Sequence, residues 1–551
     1  MFCPNCGYKN EDGVKFCAGC GQKMAENAQP APVNAAPQSA PVYAPPQPAP
    51  VYAPPVRTAP PAKAKGPSKG GQILKRLVFA LISTALMVVL ALLLPKLVPY
   101  PAVLKTPGAP VGQLLSRLQT SLLLTAVPII VAAPLAALLG SAKSSAARQV
   151  FAVISVILIA IAFPLPFLFY KANLIPVGSG STGYALAVVF IFALGLLLRP
   201  AVMPRDKKGF GGAFGAVLAA LGTGAGVAFI AGFAAILEYA LSIPGAGFLM
   251  FRSIAMLDVA TLSTLLVIVF VLIGLFRAIF DIIAAACGFG FERERFAGTP
   301  KGKGKARRVF IVIFAAIFVL VLIFSFVMPL LSGEDPNVVV PADSLLAPGE
   351  KGHVLGTDML GRDLLAQTSY AVRRTLIYSI GSFAIAAVVG IAIGIAAGFT
   401  RKAGRTVMEG VIYVLGLMPV FILLILGFVK YPIVPAMALF WGMIAEKTAM
   451  LVVSKREDKG VSFGRAAAPL AEELVHTFGR IFFLTTLWTF TGLFVMMPKA
   501  TLGTLISTGL QYMRRVPLQV TLPLAILFVF LLAAGLLGAT LQGSLRDRDG
   551  R

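Results

Sequence analysis

Apolar runs of about twenty residues recur roughly twelve times along this chain, and that repetition constrains its fold more than any other feature. They lie near 73–95, 114–140, 150–170, 183–203, 212–240, 259–285, 309–331, 375–399, 410–429, 432–453, 481–498 and 519–542. A helix of about twenty residues, rising 1.5 Å per residue, matches a hydrocarbon core of roughly 30 Å. With 58% hydrophobic and 13% charged residues among 551, the chain is too apolar for a soluble protein. The expected class is an all-α polytopic membrane protein with about twelve transmembrane helices. No secretory signal is expected before the first run, because a cysteine cluster and a long polar linker stand there.

The formal net charge is +25, but its distribution argues against nucleic acid. With the N-terminus placed in the cytoplasm, basic clusters at Lys63 to Arg76, Arg205 to Lys208, Arg293 to Arg308, Arg401 to Arg405, Lys455 to Lys459 and Arg546 to Arg551 all fall on one side. That is the asymmetry of the positive-inside rule, and it puts both termini inside. The longest opposite loop, about 332–370, holds most of the outward-facing acids.

The first 24 residues carry Cys3-Pro-Asn-Cys6-Gly7 and Cys17-Ala-Gly-Cys20-Gly21. Two Cys-x-x-Cys pairs, each followed by glycine, fit a tetrahedral zinc site of four thiolates built from Cys3, Cys6, Cys17 and Cys20. Glycine after each pair lets backbone amides turn toward the sulfurs without a Cβ clash. A segment this short cannot fold on apolar burial, so the metal would supply most of its stability. Disulfides are the competing pairing, but an inward-facing terminus lies in a reducing compartment. Four thiolates leave no open coordination position, so the expected zinc is structural. The segment resembles the short zinc ribbons at the N-terminus of many bacterial membrane proteins. Residues 25–70 follow as a Pro/Ala-rich linker that repeats Val-Tyr-Ala-Pro-Pro at 42–46 and 51–55; this composition favours extended polyproline II and packs no core.

Between two long apolar runs stands His353-Val-Leu-Gly-Thr-Asp-Met-Leu-Gly-Arg-Asp363. Polar residues so near bilayer-length helices are costly unless they sit at the water interface or in a protein-lined cavity. Through His353, Leu355, Gly356, Thr357, Asp358, Gly361, Arg362 and Asp363 the segment resembles the signature of one permease subunit of bacterial peptide/nickel-type ABC importers. The similarity continues through Tyr370, Arg373 and Leu376 and then Gly390, Gly394 and Gly398, which form one smooth stripe on a helix. Arg373 and Arg374 are read as snorkelling to headgroups ahead of a span that begins near Thr375.

The resemblance implies two fused permease units. The second, 297–551, has one span before the signature and five after it. The first, 71–296, resembles the companion subunit through Glu238-Tyr-Ala-Leu-Ser-Ile-Pro244-Gly245-Ala-Gly247, in which Pro-Gly and a second Gly break the helix into a short re-entrant element. Six runs per half with both ends inside make the halves parallel repeats lining one pathway. The resemblance further implies partner ABC ATPase subunits, an extracytoplasmic solute-binding protein meeting the outer loops, and a bacterial inner-membrane location.

In this family each unit grips its ATPase through a cytoplasmic helix with the pattern E-A-A-x-x-x-G. The second half offers only a degenerate version, Ala466-Ala467-Ala468, with Pro469 expected to break or restart a helix there. In the first half, the loop Met203 to Gly212 is too short for such a helix. No G-x-x-x-x-G-K-[ST] loop occurs, so nucleotide binding and hydrolysis would belong to another polypeptide, and no catalytic set is visible. His476 is read as a solvated surface residue and Cys287 as a small apolar packer. Two functions follow: an ABC-importer permease of the peptide/nickel class, or a permease-fold scaffold or sensor that recruits cytosolic partners through its ribbon without ATP coupling.

Overall fold

Each expected span that falls on described residues carries helix. In the computed structural model of the chain the described residues are 69–97, 111–171, 181–202, 209–222, 225–256, 258–286, 304–333, 335–400, 434, 441–457, 463–492, 495 and 499–547. The ribbon, the linker as far as residue 68, Cys287 and the expected span at 410–429 lie outside them; the last two linker residues already belong to a helix. Among the described residues the β-type pairing is a single isolated antiparallel bridge, Thr357 to Asp363.

The N-terminal helices are α1 (Lys69–Leu97), α2 (Val111–Gly140), α3 (Ser145–Ala162), α4 (Pro164–Lys171), α5 (Thr182–Val202), α6 (Gly209–Gly222), α7 (Ala225–Ala240), α8 (Ala246–Ala255) and α9 (Val259–Ala286). The C-terminal helices are α10 (Gly304–Ser332), α11 (Leu364–Phe399), α12 (Trp441–Glu457), α13 (Phe463–Phe490), α14 (Leu502–Gly509) and α15 (Leu518–Asp547). Six of these are long and apolar enough to cross a membrane, or seven if α6 and α7 count as one bent span. The expected twelve is thus met only in part by length and composition among the described residues.

Three departures from the expected spans have visible causes. The run at 150–170 is split because Pro164, which has no N–H to donate, starts α4 at its first position. The run at 212–240 bends by 66° between α6 and α7, where the sequence reads Gly222-Thr-Gly-Ala-Gly226. Buried Arg277 of α9 repairs that break by donating from Nε to the Gly222 carbonyl at 3.2 Å, a partner that a helix end in an apolar setting requires. The third departure is α13, which starts at Phe463 rather than near 481 and runs through Pro469. Pro469 therefore neither breaks nor restarts a helix, contrary to expectation.

The helices pack in a recurring order. α1 lies against α9 and α2 against α5; α10 lies against α15 and α11 against α12. Short α8 sits between α7 and α9, and short α14 between α13 and α15. The glycine stripe of α11 faces α12: a Cβ on Gly390 would lie 2.6 Å from the Trp441 carbonyl oxygen, and one on Gly394 or Gly398 would meet Thr448 or Val452. Close helix approach through small residues is the usual packing device in lipid.

Buried apolar residues from both groups of helices form one continuous core. Where the groups meet, Phe163 packs edge-on against Phe483 and Phe490 with ring centroids 6.0 and 5.9 Å apart. Phe167 meets Phe490, and Phe251 meets Trp488. Such tilted aromatic pairs are each worth about 0.5–1.5 kcal/mol beyond their area burial.

Candidate functional site

The segment from 335 to 363, between α10 and α11, folds into a knot with its own hydrogen-bonded interior. Gly356 and Gly361 make its turns at φ +75° and +72°, in the left-handed region that costs most side chains strain. A Cβ on Gly356 would strike the Leu346 carbonyl oxygen, and one on Gly361 the Val340 carbonyl oxygen. The chain between 340 and 346 is thereby clasped against 356–361, with Val340 N donating to Leu360 O at 3.1 Å and Leu345 N to Asp358 O at 3.1 Å.

Asp358 is the hub and is 2% exposed. Its Oδ1 accepts from the Leu360 and Arg362 amides at 2.8 and 3.0 Å. Its Oδ2 accepts from Arg362 Nε at 2.8 Å, Arg362 Nη2 at 2.7 Å and Gln367 Nε2 at 2.9 Å. A buried carboxylate is tolerable only when paired and hydrogen-bonded, and this one is both. Thr357 is buried as well; its Oγ1 donates to the Asp343 carbonyl and accepts from Leu346 N at 2.9 Å. Asp363 caps α11 by accepting from Ala366 N at 2.7 Å, while its other oxygen holds His353 Nδ1 at 2.9 Å. The polar groups of the signature are thus engaged with one another. The arrangement holds a shape; it contains no nucleophile poised beside a base.

The outside of the knot is partly apolar, with Val338, Val339, Val354 and Leu360 exposed. Where it joins α10 and α11, a recess of about 350 Å³ is lined by Pro329, Gly333, Asp335, Pro336, Asn337, Tyr370 and Arg374. Arg373 and Arg374 sit inside α11, which starts at Leu364, and not ahead of a span. Arg374 Nη1 donates to the Ala500 carbonyl at 3.0 Å, and the Arg373 guanidinium lies 5.7 Å from the centroid of the Phe326 ring.

In the N-terminal helices the structure brings Glu238, Pro244, Gly245 and Gly247 together at the turn from α7 to α8. Glu238 is fully buried. Its Oε2 accepts from the Gly247 and Phe248 amides at 2.7 and 3.2 Å, so a carboxylate caps the start of α8, where the helix dipole favours negative charge. Ser121 of α2 completes the cradle, donating to Glu238 Oε1 at 2.6 Å and accepting from Ala246 N at 2.8 Å. A Cβ on Gly245 would overlap the carboxyl group, and one on Gly247 would overlap Ala235 of α7.

Ala466, Ala467 and Ala468 lie near the start of α13. One turn later the helix carries a polar node. Glu472 pairs with Arg199, in the last turn of α5, and Glu473 pairs with Arg480 at 2.7 Å. His476 is buried at 7% exposure, not solvated as expected; its Nε2 lies 3.7 Å from Glu472 Oε1 and against Gly538 of α15.

Comparison with known proteins bears out the relationship that the signature suggests. A di/tripeptide transport system permease protein of Pseudomonas aeruginosa (strain UCBPP-PA14) is 27% identical over 280 residues, 46% of this chain and 89% of that protein. A nickel transport system permease protein of Escherichia coli (strain K12) is 27% identical over 234 residues, 38% of this chain and 84% of that protein. Over less than half of its length the chain is thus similar to permease proteins of peptide and nickel transport systems. A zinc-ribbon domain family matches residues 2–24; Cys3, Cys6, Cys17 and Cys20 fall within the match but outside the described residues.

Seen as a permease relative, the chain also holds residues that sequence reasoning passes over. Ser121 is 117 positions from the carboxylate it binds, and no local pattern marks it. Arg277 and Arg199 did carry a signal: an arginine within or at the end of an apolar helix needs a partner.

Proposed function

We propose that this chain is the transmembrane permease component of an ABC importer. It moves peptides or related small solutes of the peptide/nickel class and is driven by separate ATPase subunits. The single observation that carries the reading is the signature knot. The eight residues of the resemblance include the hub, the turns and the cap of one closed fold, and the relatives with which the chain shares 27% identity are transport permeases.

The proposed organisation is a zinc ribbon at 1–24, a linker at 25–70 and two permease units at 71–296 and 297–551. The repeated packing order of the two groups of helices supports the pairing of units. In this scheme the knot and the cradle of α8 lie on the extracytoplasmic side, where the exposed valines and Leu360 offer a surface to a solute-binding protein. Both termini lie in the cytoplasm. The degenerate Ala466–Ala468 segment is the remnant of an ATPase-coupling loop. Zinc, held by Cys3, Cys6, Cys17 and Cys20, is structural; the donor set of four thiolates closes its coordination shell and supplies no reaction step.

The test is co-purification from native membranes. The reading expects an ATPase subunit to accompany the chain and its hydrolysis to depend on it; repeated isolation of the chain with no ATPase overturns it. One observation favours the second reading, a permease-fold scaffold that recruits cytosolic partners through its ribbon. The acids after Ala466–Ala468 are turned inward onto Arg199 and Arg480. Deleting residues 1–70 separates the two: uptake survives under the first, and recruitment fails under the second.

A further inference from the structure

We propose that Arg199 and Glu472 form a latch that keeps the seam between the N-terminal and C-terminal helices shut, and that the seam opens only when this ion pair parts. The inference deepens the permease reading, on which it rests for the identity of what crosses the opened seam.

The seam is made of two unlike materials. Most of it is apolar: Phe163 and Phe167 against Phe483 and Phe490, Phe251 against Trp488, and Val156 of α3 against Gly535 of α15. In lipid such surfaces gain nothing from excluding water, because acyl chains are as apolar as the side chains they replace, and parting them forfeits only packing and ring–ring contact. An ion pair behaves differently, since parting it leaves two charges without partners near the hydrocarbon. The pair therefore sets the threshold for opening although it covers far less area.

Geometry makes Arg199 the main partner of Glu472. The neighbouring acid, Glu473, is committed to Arg480 and accepts from Thr477 at 3.1 Å. His476 faces Glu472 only at 3.7 Å. The Glu472 side chain is 9% exposed and that of Arg199 26%, so the pair is largely out of water and is not the solvated kind that contributes little. Position fits as well. Arg199 immediately precedes the basic loop Arg205 to Lys208, and Glu472 precedes the apolar stretch of α13, so both belong at one end of the seam. From Glu472 to Phe490 the helix climbs about 27 Å at 1.5 Å per residue. The latch thus holds one end of an aromatic zipper that is close to a hydrocarbon core in length.

The experiment uses the full chain in proteoliposomes with Val156→Cys as reporter and a small polar maleimide as probe, against the same chain without that cysteine. Val156 is buried against Gly535, so labelling is slow while the seam is shut. Arg199→Gln is expected to speed labelling about tenfold. The reversed pair, Arg199→Glu with Glu472→Arg, is expected to restore the slow rate. If Arg199→Gln does not fold, Glu472→Gln keeps an acceptor for Arg199 and is expected to give an intermediate rate. Equal rates in all folded variants, or a reversed pair as fast as the single changes, overturn the latch. The labelling rate needs no ATPase and no known solute, so its failure is distinct from a failure of the permease reading, which ATPase co-purification decides.

Discussion

Asp358 accepts five hydrogen bonds while almost wholly shielded from solvent, and the consequence of changing it depends on what is left behind. Asp358→Ala strands Arg362 and two amides; removing one partner of a buried pair costs about 3–5 kcal/mol. Asp358→Asn keeps the size of the side chain and one acceptor oxygen and should lose about half as much. Thermal unfolding of the purified chain checks the ranking, and equal melting temperatures for the two variants would refute it. Gly361→Ala, at φ +72° with the Val340 carbonyl in the way, should cost about 1–3 kcal/mol by the same measurement. At the ribbon, the expectation is one zinc per chain by elemental analysis, lost in Cys17→Ser, with the membrane helices still folded.

At the scale of elements, the α11–α12 contact depends on having no side chain at three positions one turn apart. Gly394→Ile would push a branched side chain into Ala445 and Thr448 and should destabilise by about 1–3 kcal/mol or more, whereas the same side chain placed on the exposed face, Ala392→Ile, should cost nearly nothing. A detergent-stability assay compares the two. This stripe was legible in the sequence because spacing of four is a local, periodic signal. So were most helix positions, since bilayer-length apolar runs declare themselves. The breaks were harder. Pro164 and the glycines at 222–226 stand in plain view, but hydropathy averaged over twenty residues smooths across them. Pro469 misleads in the other direction: it is the seventh residue of α13, beyond the first turn where a missing N–H costs nothing, yet the helix runs through it. The polar contacts were legible only as isolated letters. Thr357 reaches a carbonyl 14 positions away and Arg199 a carboxylate 273 away, and nothing in local composition encodes either meeting. His476 was misread for the same reason: flanking acids suggest water, yet the burial comes from α15, distant in sequence.

For the whole molecule, the two groups of helices share one core, so they should unfold together. A single cooperative transition for residues 67–551 is expected, and two separated transitions assignable to the two groups would contradict a shared core. The most consequential element of that core is α11. Its 36 residues run unbroken for about 54 Å, well beyond the roughly 30 Å that lipid requires. One end is capped by Asp363 inside the knot and the other carries Gly398 against Val452. A spar fixed at both ends and lacking any hinge cannot be tilted at its tip alone: whatever leans on the knot displaces the far end by a proportionate amount, with no diffusible messenger needed in between.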